Sequence, residues 1–540
     1  MKPRGYLHLT PRLSLQKDSK WLLDYVKNPA TVACHGFFPL LHRKLYQRRY
    51  KVIGKDSVGK PIRGHSKVET NGQVKSTKKA RPIHYPTHLD AQIYAYYAFE
   101  KLQKPYEAWL AKHPELSVCV SAYRRIPDVA NGGNKSNIHF ARDVFEHIKQ
   151  VGNCCAIAFD IESFFNSLDH YHLKHSWCRI IGTKSLPPDH YNVFKSVTRF
   201  KYVLRDDLRP LDNSHKGFNE KRLAKLRQKG IHSFFESGKD FRKEVEKGAL
   251  KIHKNQYHNQ KDGNEKKIRG IPQGLPISAV LANIYLLEFD ERVYERIVCE
   301  YGGLYRRYSD DIVVVCPEEK WKDVKNFVET AIRNFKLEIS SDKTDICFFR
   351  KSGGRLQSFS LDLKRNLERP GVPLRYLGFE FYGNRVLIKS ANVSKFYRRM
   401  KESIKKRYLR MKKHSSKISE AEIPLFKRKL YRLFTIMGKT KRPKLIPIWK
   451  SEPLCNHNTG KIFHRKSQKP FWRKYRGNTL SYAWRAAEIL KEPAIKKQFR
   501  RHWPIMKQYI SSTLNSDEHY PAEKRGSKHP AHSSRNYSAR

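Results

Sequence analysis

The chain has 540 residues, and 109 lysine and arginine residues outnumber 51 aspartate and glutamate residues, giving a formal net charge of +58. An excess of this size repels itself unless a polyanion neutralises it, so the composition predicts a nucleic-acid partner and argues against a merely solvated surface. No apolar run approaches the roughly 18 residues that a membrane-spanning helix needs, and the first residues lack the apolar core of a signal peptide, so we expect a cytoplasmic protein without membrane contact.

The first half of the chain contains three segments of distinct character. Residues 1–75 mix basic and aromatic side chains and are expected to form a basic N-terminal extension. Between residues 80 and 100, apolar and aromatic residues recur at helical spacing, which predicts a helix. Residues 154–161, C-C-A-I-A-F-D-I, form a short apolar run ending beside an acid, which is typical of a buried strand. This strand would carry Asp160 at its end.

Two later segments combine turn signals with apolar runs. Residues 271–290 predict a glycine- and proline-containing turn that leads into an apolar helix. Residues 305–315 predict a strand, a turn and a second strand, with Asp310 and Asp311 at the turn. The segment before them, about 205–268, is polar and rich in lysine and histidine, so we expect a largely surface-exposed insertion.

The C-terminal part of the chain is strongly basic. Residues 391–450 contain 20 lysine or arginine residues against three acids, interleaved with apolar residues, which predicts a basic helical region across 386–512. Residues 513–540 are rich in Ser, His, Lys and Arg and are expected to be a disordered tail. Cys455 and His457, with His464 nearby, could suggest zinc, but no second cysteine pair accompanies them, so we interpret them as polar loop residues.

The adjacent acids Asp310 and Asp311 require a chemical explanation. A lone pair of aspartates is most often a turn or a helix cap, but Asp160 ends a strand that could lie beside them in one sheet. Three converging carboxylates repel one another unless divalent cations lie among them, and hard oxygen ligands favour Mg²⁺ or Mn²⁺. Two such ions about 3.5–4 Å apart stabilise the attacking and leaving oxygens of phosphoryl transfer. In a protein that binds polyanions, this predicts nucleotidyl transfer or hydrolysis.

Six short motifs in a fixed order surround these acids. They are K-A-R-P-I (79–83), F-D-I-E-S-F-F (159–165), P-Q-G-L-P-I-S-A-V-L-A-N (272–283), Y-S-D-D (308–311), L-E-I-S-S-D-K-T (337–344) and Y-L-G-F-E-F (376–381). In this order they resemble the fingers motif and motifs A to E of reverse transcriptases. The resemblance covers about residues 75–385. It implies an α+β, right-hand polymerase fold, with fingers and an antiparallel palm sheet in 76–385, followed by a basic helical thumb and C-terminal region.

The resemblance also implies catalytic roles. Asp160, Asp310 and Asp311 would be the catalytic acids and ligands of two Mg²⁺ ions, with Mn²⁺ as an alternative. Ile161 would add its backbone carbonyl as a metal ligand. Lys343 matches the lysine proposed as general acid to the departing pyrophosphate.

Further matches concern the substrate. Phe165 matches the steric gate, where an aromatic ring occupies the space that a ribose 2′-hydroxyl needs, so dNTPs would be the substrates. An alternative is that Phe165 is simply a core residue, and both interpretations can hold. Gln273 and Gly274 would support the templating base and the incoming nucleotide. Arg81, with Lys79 near it, would grip the triphosphate.

The surrounding sequence bears on the type of reverse transcriptase. Ser309 stands where Ala or Met is common, and a small residue suffices there. No signature of a ribonuclease H, endonuclease, protease or integrase follows the thumb segment. In this respect the chain resembles stand-alone bacterial reverse transcriptases. The stretches 81–97 and 135–145 look most like the antiphage, defence-associated reverse transcriptases, with retron enzymes as near relatives. The expected partners are an RNA template, a structured non-coding RNA and the DNA product.

Several alternatives stay open. The chain could be a retron-type or group II intron maturase-like mobile-element enzyme, or a catalytically silent RNA-binding protein. The sequence does not determine whether the primer is an RNA hydroxyl, a protein hydroxyl or none, and it does not determine whether the protein forms a homo-oligomer.

Overall fold

The structure is a computed structural model. It describes residues 5–13, 19–47, 51–55, 57, 61–68, 73–129, 132–209, 218–255, 257–262, 265–363, 365–415, 427–440, 444–449, 451–456, 459, 461–466, 470–475 and 477–515.

Helices and strands alternate irregularly along the chain. The helices are α1 (Ser19–Lys27), α2 (Pro29–Ala33), α3 (His88–Tyr96), α4 (Lys104–Ala111), α5 (Pro114–Cys119), α6 (Asn137–Val151), α7 (Phe164–Ser167), α8 (His170–Ile181), α9 (Pro188–Thr198), α10 (Glu220–Gln228), α11 (Gly238–Glu246), α12 (Ser278–Tyr285), α13 (Leu287–Val293), α14 (Trp321–Asn334), α15 (Ser390–Ser415), α16 (Lys427–Phe434), α17 (Thr479–Ile489), α18 (Ala494–Lys497) and α19 (His502–Asn515).

The strands are β1 (Leu40–Gln47), β2 (Lys51–Lys55), β3 (Pro61–Gly64), β4 (Ser66–Val68), β5 (Val74–Ser76), β6 (Lys79–Tyr85), β7 (Cys154–Asp160), β8 (Lys201–Leu204), β9 (His253–Lys254), β10 (His258–Asp262), β11 (Glu265–Ile268), β12 (Leu304–Tyr308), β13 (Asp311–Cys316), β14 (Asp345–Ser352), β15 (Arg355–Asp362), β16 (Leu367–Pro370), β17 (Leu374–Tyr376), β18 (Phe379–Phe381), β19 (Val386–Ile388), β20 (Lys444–Ile448), β21 (Ser451–Cys455), β22 (Ile462–Lys466) and β23 (Phe471–Tyr475).

The chain divides into two compact units. One comprises Met1–Leu377, Tyr382–Asn384 and Pro447–Phe471, and the other comprises Gly378–Phe381, Arg385–Ile446 and Trp472–Arg540. Among the described residues, none of the helices combines the length and the apolar character needed to cross a membrane.

A six-stranded antiparallel sheet forms the centre of the first unit, in the order β12-β13-β7-β14-β15-β16. Its central strands are apolar on both faces, so β7 is largely buried and residues 312–315 of β13 are fully buried. Apolar residues of α3, α8, α12 and α14 join these strands in the main hydrophobic core. The predicted strand at 154–161 and the strand–turn–strand at 305–315 are confirmed, as is the apolar helix after residue 271.

A second sheet of the first unit has the order β6-β1-β8-β9. The helix predicted from residue 80 is wrong in its first part, because residues 79–85 form β6, antiparallel to β1. Arg81 and Tyr85 each precede a proline, and a residue before proline is biased towards extended backbone. The helix α3 begins only at His88, where the Thr87 side chain caps it by accepting a hydrogen bond from the Asp90 amide at 3.3 Å.

The segment 205–268 has more apolar anchoring than its composition suggests. Leu223 of α10 and Phe241 of α11 are buried in a small separate core. Leu9 and Leu41, which are distant in sequence, complete the same core. The insertion therefore packs against the N-terminal part of the chain. It can do so because its few apolar residues recur at helical spacing and lie on one face of each helix.

The second unit is built around the 26-residue helix α15. Every fourth residue of this helix is apolar and buried, as expected for the apolar stripe of an amphipathic helix; these residues are Phe396, Met400, Ile404 and Tyr408.

The prediction that the region 386–512 is helical is wrong in part, because the strands β20–β23 lie between residues 444 and 475. Aromatic and β-branched runs such as I-F-H and F-W-R-K-Y favour extended backbone there. Residues 516–540 of the predicted tail, and His457, lie outside the described residues.

Candidate active site

Strand pairing brings the first and third predicted acids together. β7 and β13 are antiparallel, and Asp160 lies directly opposite Asp311 in their register. Directly opposed residues project from the same face of a sheet, with Cβ atoms about 4.5–5.5 Å apart. At the same edge, the Ile161 amide donates to the Asp310 carbonyl at 3.2 Å. Two acids separated by 151 positions in sequence therefore share one end of the palm sheet.

Asp310 occupies the turn between the two strands. Tyr308 pairs with Asp311, so Ser309 and Asp310 form a two-residue hairpin loop, and Ser309 has a φ of +63°. Burial raises the pKa of the Asp310 carboxyl, and the charge of Asp160 raises it further, while a hydrogen bond from Ser309 and the charge of Lys343 oppose the shift. The charge of Asp160 therefore acts on the Asp310 carboxyl.

Lys343 is also at this edge. It ends the short 3-10 turn Ser341–Lys343, and its ammonium group contacts Oδ2 of Asp160. The Ser340 amide donates to the Asp160 carbonyl at 2.8 Å, which connects this segment to the end of β7. In this arrangement Lys343 neutralises Asp160 directly.

The carboxylates of Asp160, Asp310 and Asp311 are the candidate ligands for divalent cations. Within the described ranges, no group of three or more His, Cys, Asp or Glu side chains is arranged to hold a metal ion. The donor chemistry nevertheless fits, because carboxylate oxygens are the ligands that Mg²⁺ and Mn²⁺ prefer. A cation placed between Asp160, Asp310 and Asp311 would also offset the charge of Asp160, which adds to the effect of burial in raising the pKa of Asp310.

The two adjacent phenylalanines at the end of the motif F-D-I-E-S-F-F (159–165) have different surroundings. Phe164 is 3% exposed and belongs to the main core, whereas Phe165 is partly buried and packs against that core from outside. The Ile271 amide donates to the Phe165 carbonyl at 2.8 Å, so the segment before Gln273 holds the backbone of Phe165 in place. Phe164 is therefore a core residue, and Phe165 has an accessible surface that a sugar could meet.

The turn at Gln273 and Gly274 lies against β6. The Gln273 carbonyl accepts a hydrogen bond from the His84 amide at 2.8 Å. Gly274 has a φ of +110°, and a Cβ atom there would lie 2.5 Å from the His84 carbonyl oxygen. Glycine is required here both for its backbone conformation and for the close approach of the two chains.

The same strand β6 carries the predicted triphosphate ligands. Lys79 and Arg81 are exposed, and they lie two positions apart, so they project from one face together with Ile83. A Cβ atom on Gly274 would lie 3.1 Å from Ile83 Cγ2. β6 thus connects the two cations to the turn, although none of the described contacts joins them to the three acids.

Sequence reasoning missed a buried ion pair behind the acidic hairpin. Arg307 is 0% exposed and Asp290 is 3% exposed. Two hydrogen bonds join them, Nη2 to Oδ2 at 2.5 Å and Nε to Oδ1 at 2.7 Å, and Tyr305 donates to the same Oδ1 at 2.5 Å. A signal existed, because Arg307 alternates with Tyr305 on one face of β12 and Asp290 ends an apolar helical run.

Comparison with known families identifies the central part of the chain. Residues 213–381 match the family model "Reverse transcriptase (RNA-dependent DNA polymerase)". The chain contains a reverse transcriptase domain. The matched segment includes Gln273, Gly274, Asp310, Asp311 and Lys343. Asp160 and Phe165 precede it, and β-strand pairing rather than the match brings Asp160 to the site.

Individual relatives are distant. Protein YkfC of Escherichia coli (strain K12) is 29% identical over 126 residues, which are 22% of this chain and 33% of YkfC. The chain therefore spans about a third of the length of this curated relative.

Two solved polymerase structures are similar to this chain with low TM-scores. A truncated apo telomerase from Candida tropicalis has a TM-score of 0.31 at 10% identity, covering 69% of this chain and 59% of the telomerase chain. The RNA-dependent RNA polymerase of bacteriophage phi12 has a TM-score of 0.32 at 11% identity, covering 63% of this chain and 48% of the polymerase.

The reverse transcriptase domain and the antiparallel palm sheet confirm the predicted α+β, right-hand polymerase fold class. The matched domain is that of an RNA-dependent DNA polymerase.

Proposed function

We propose that the protein is an RNA-templated DNA polymerase that adds dNTPs to a 3′ end with the help of two divalent cations. The observation that supports this most directly is the pairing of Asp160 with Asp311, beside Asp310, at one edge of the palm sheet. The reverse transcriptase domain that contains Asp310 and Asp311 supports the choice of RNA as template.

The three acids and Lys343 have different roles in the proposed reaction. Asp160, Asp310 and Asp311 would hold Mg²⁺, or Mn²⁺ as an alternative, together with the backbone carbonyl of Ile161. When bound, the ions would stabilise the attacking and leaving oxygens of phosphoryl transfer. Lys343 would move from Asp160 to the departing pyrophosphate and donate a proton to it.

The substrate residues act around these acids. Lys79 and Arg81 would bind the triphosphate, since both are exposed cations on one face of β6. Gln273 and Gly274 would lie beside the templating base and the nucleotide. Phe165 would exclude a ribose 2′-hydroxyl and so select deoxynucleotides.

The basic surface of α15 is suited to a nucleic-acid backbone. Its buried stripe leaves the remaining faces exposed, and they carry mainly cations. The exposed basic residues are Arg398, Arg399, Lys401, Lys405, Lys406, Arg410 and Lys412. We propose that this helix binds the phosphates of the template–product duplex or of a structured non-coding RNA.

We further propose that the polymerase acts in antiphage defence with a bound non-coding RNA. This rests on the likeness of residues 81–97 and 135–145 to defence-associated reverse transcriptases and on the net charge of +58. A retron-type enzyme would instead give a branched RNA–DNA product. A maturase-like enzyme would be accompanied by intron RNA around its gene.

The decisive experiment removes two acids. Asp310→Ala with Asp311→Ala should abolish dNTP incorporation by the protein and its co-purifying RNA, and should also abolish protection against phage. The matched control is Glu319→Ala with Asp323→Ala, which removes two exposed acids of the same unit and should leave both activities intact. Protection that survives in the acid-site variant would show that catalysis is not the defence mechanism.

A further inference from the structure

The turn that carries Asp310 is held from behind by the buried Arg307–Asp290 pair. Arg307 lies in β12 three residues before Asp310, and its guanidinium uses Nε and Nη2 for the Asp290 carboxylate. Its remaining nitrogen, Nη1, donates towards the Ser309 carbonyl at 3.4 Å. One buried cation therefore links helix α13 to the backbone of the acidic turn.

A second set of hydrogen bonds fixes Arg307 itself. Its carbonyl accepts from the Ser121 amide at 3.1 Å and from the Ser121 hydroxyl at 3.2 Å. Its Nη1 also lies 3.4 Å from Oδ1 of Asn283, whose side-chain amide donates to the Ala122 carbonyl at 2.9 Å. The helices of the palm and the segment around Ser121 thus share one polar network with the turn.

The turn needs such support because of its backbone. Two-residue hairpin loops favour glycine or asparagine where φ is positive. Ser309 instead adopts a φ of +63° and is 3% exposed. Its hydroxyl lies 3.2 Å from the Tyr123 hydroxyl, and its carbonyl faces Arg307. A β-carbon in this region is unfavourable, so surrounding contacts must impose the conformation.

Stability alone is a poor explanation for the ion pair. Removing two charges from water is costly, and well-packed apolar residues of similar size often serve a core equally well or better. An apolar pair, however, has no donor for the Ser309 carbonyl. The distinctive contribution of Arg307 is therefore a directed hydrogen bond to the turn that aims Asp310.

We infer that the Arg307–Asp290 pair positions the metal-binding turn: it holds Ser309 in its left-handed conformation and so keeps Asp310 and Asp311 facing Asp160. This inference rests on the proposed polymerase function, because it assigns cation binding to those acids. Arg307 and Asp290 are positioning residues, since neither would touch the substrate.

The first test replaces the pair by apolar residues of similar size, Arg307→Met with Asp290→Leu, in the full chain. Binding of Mn²⁺ is measured by electron paramagnetic resonance in the absence of nucleotide, together with thermal unfolding. We expect a cooperative unfolding transition like that of the wild type and Mn²⁺ binding weakened about tenfold to a hundredfold, the effect typical of removing a hydrogen bond from a charged donor. The Mg²⁺ concentration for half-maximal dNTP incorporation should rise in parallel, with little change in the KM for dNTP.

A second test does not depend on the folding of that double variant. Arg307→Lys should weaken Mn²⁺ binding, and adding Ser309→Gly should restore most of it, to within about threefold, because glycine adopts positive φ without support. A merely structural role for the pair would not be rescued by a glycine in the turn.

The outcomes separate this inference from the proposed function. Unchanged Mn²⁺ affinity in a folded Arg307→Met, Asp290→Leu protein would overturn the positioning role, as would Arg307→Lys without rescue by Ser309→Gly. If the wild type binds Mn²⁺ through Asp310 and Asp311 but incorporates no nucleotide, the polymerase proposal fails while the positioning inference stands. A wild type that binds no Mn²⁺ at these acids would overturn both.

Discussion

Gly274 is the residue at which backbone geometry leaves the least freedom beside the candidate site. It combines a φ of +110° with a distance of 2.5 Å between a built Cβ atom and the His84 carbonyl oxygen. The hydrogen bond between Gln273 and His84 depends on that close approach. Any side chain added at position 274 would therefore push the turn away from β6.

We predict that Gly274→Ala lowers the free energy of unfolding by about 2–4 kcal/mol, because strain and a steric clash add. Nucleotide incorporation should fall by at least about tenfold as the turn shifts by part of an ångström. Chemical denaturation and primer extension measure the two effects. Gly182→Ala is the matched control, since Gly182 has a φ of +69° but no atom within 4 Å of its built Cβ. It should cost only about 1–2 kcal/mol and spare activity.

Phe165 supplies the second residue-scale prediction. Its partly exposed ring next to the acidic strand should exclude a ribose 2′-hydroxyl, so Phe165→Ala should raise the ratio of rNTP to dNTP incorporation roughly tenfold to a hundredfold. Competition assays with the two nucleotide classes measure the ratio. Phe164→Leu is the control, because Phe164 lies in the core, and it should reduce stability without changing the ratio. An unchanged ratio in Phe165→Ala would mean that another residue is the gate.

At the scale of secondary-structure elements, the pairing of β1 with β6 contains a buried histidine pair. His42 lies opposite His84, and Nδ1 of His42 is 2.9 Å from Nε2 of His84. Burial lowers the pKa of His42 to about 4, with Lys44 and His253 adding to the shift and Asp206 opposing it. Burial, and then His42, lower the pKa of His84 to about 3. Both rings are neutral in the folded protein near neutral pH.

Because both folded pKa values lie below the ordinary value of 6.5, protonation favours the unfolded chain. The stability contribution should be complete above pH 6.5. It should decline as the pH falls to the folded pKa values of about 4 for His42 and about 3 for His84, by up to about 1.4 kcal/mol per pH unit for each proton. His42→Gln with His84→Gln should make this decline shallower in urea unfolding at several pH values. His175→Gln is the control, because that side chain is 65% exposed. An equal slope in both variants would contradict the assignment.

At the scale of the whole molecule, the net charge of +58 favours binding to a polyanion. Helix α15 concentrates exposed cations on the faces left free by its buried stripe. Phosphate contacts release condensed counterions, so affinity depends on salt in proportion to the number of contacts. The salt dependence of binding therefore reports which cations contact the backbone.

We predict that Lys405→Ala, Lys406→Ala and Arg410→Ala together reduce the slope of log affinity against log salt. The reduction should be about 0.7–0.9 for each phosphate that is no longer neutralised. Titrations with labelled RNA at several salt concentrations measure it. Lys149→Ala, Lys320→Ala and Lys322→Ala form the matched control, with the same charge removed from exposed positions of the other unit. If both triple variants reduce the slope equally, charge in general rather than α15 determines binding.

Local sequence patterns predicted several elements correctly and failed where pairing overrode them. The apolar runs before Asp160 and after Asp311 are strands as predicted, because residues buried on both faces leave little choice of structure. The helix predicted for residues 80–100 is wrong over residues 80–85, which pair with β1 as part of the strand β6. That outcome depends on a partner strand about 40 residues away, which no local pattern reveals.

The amino-acid sequence by itself determined the charge, which predicts a polyanionic partner. It also determined the strands that carry the acids and the ordered motifs that resemble a reverse transcriptase. Only the tertiary structure decided that Asp160 faces Asp311, that Gly274 lies against His84, and that Arg307 and Asp290 support the turn behind the acids. The physical reason is that composition and periodicity are properties of neighbouring residues. Strand register and buried ion pairs depend instead on how distant segments pack, and a shift of one residue in register would turn each side chain to the opposite face.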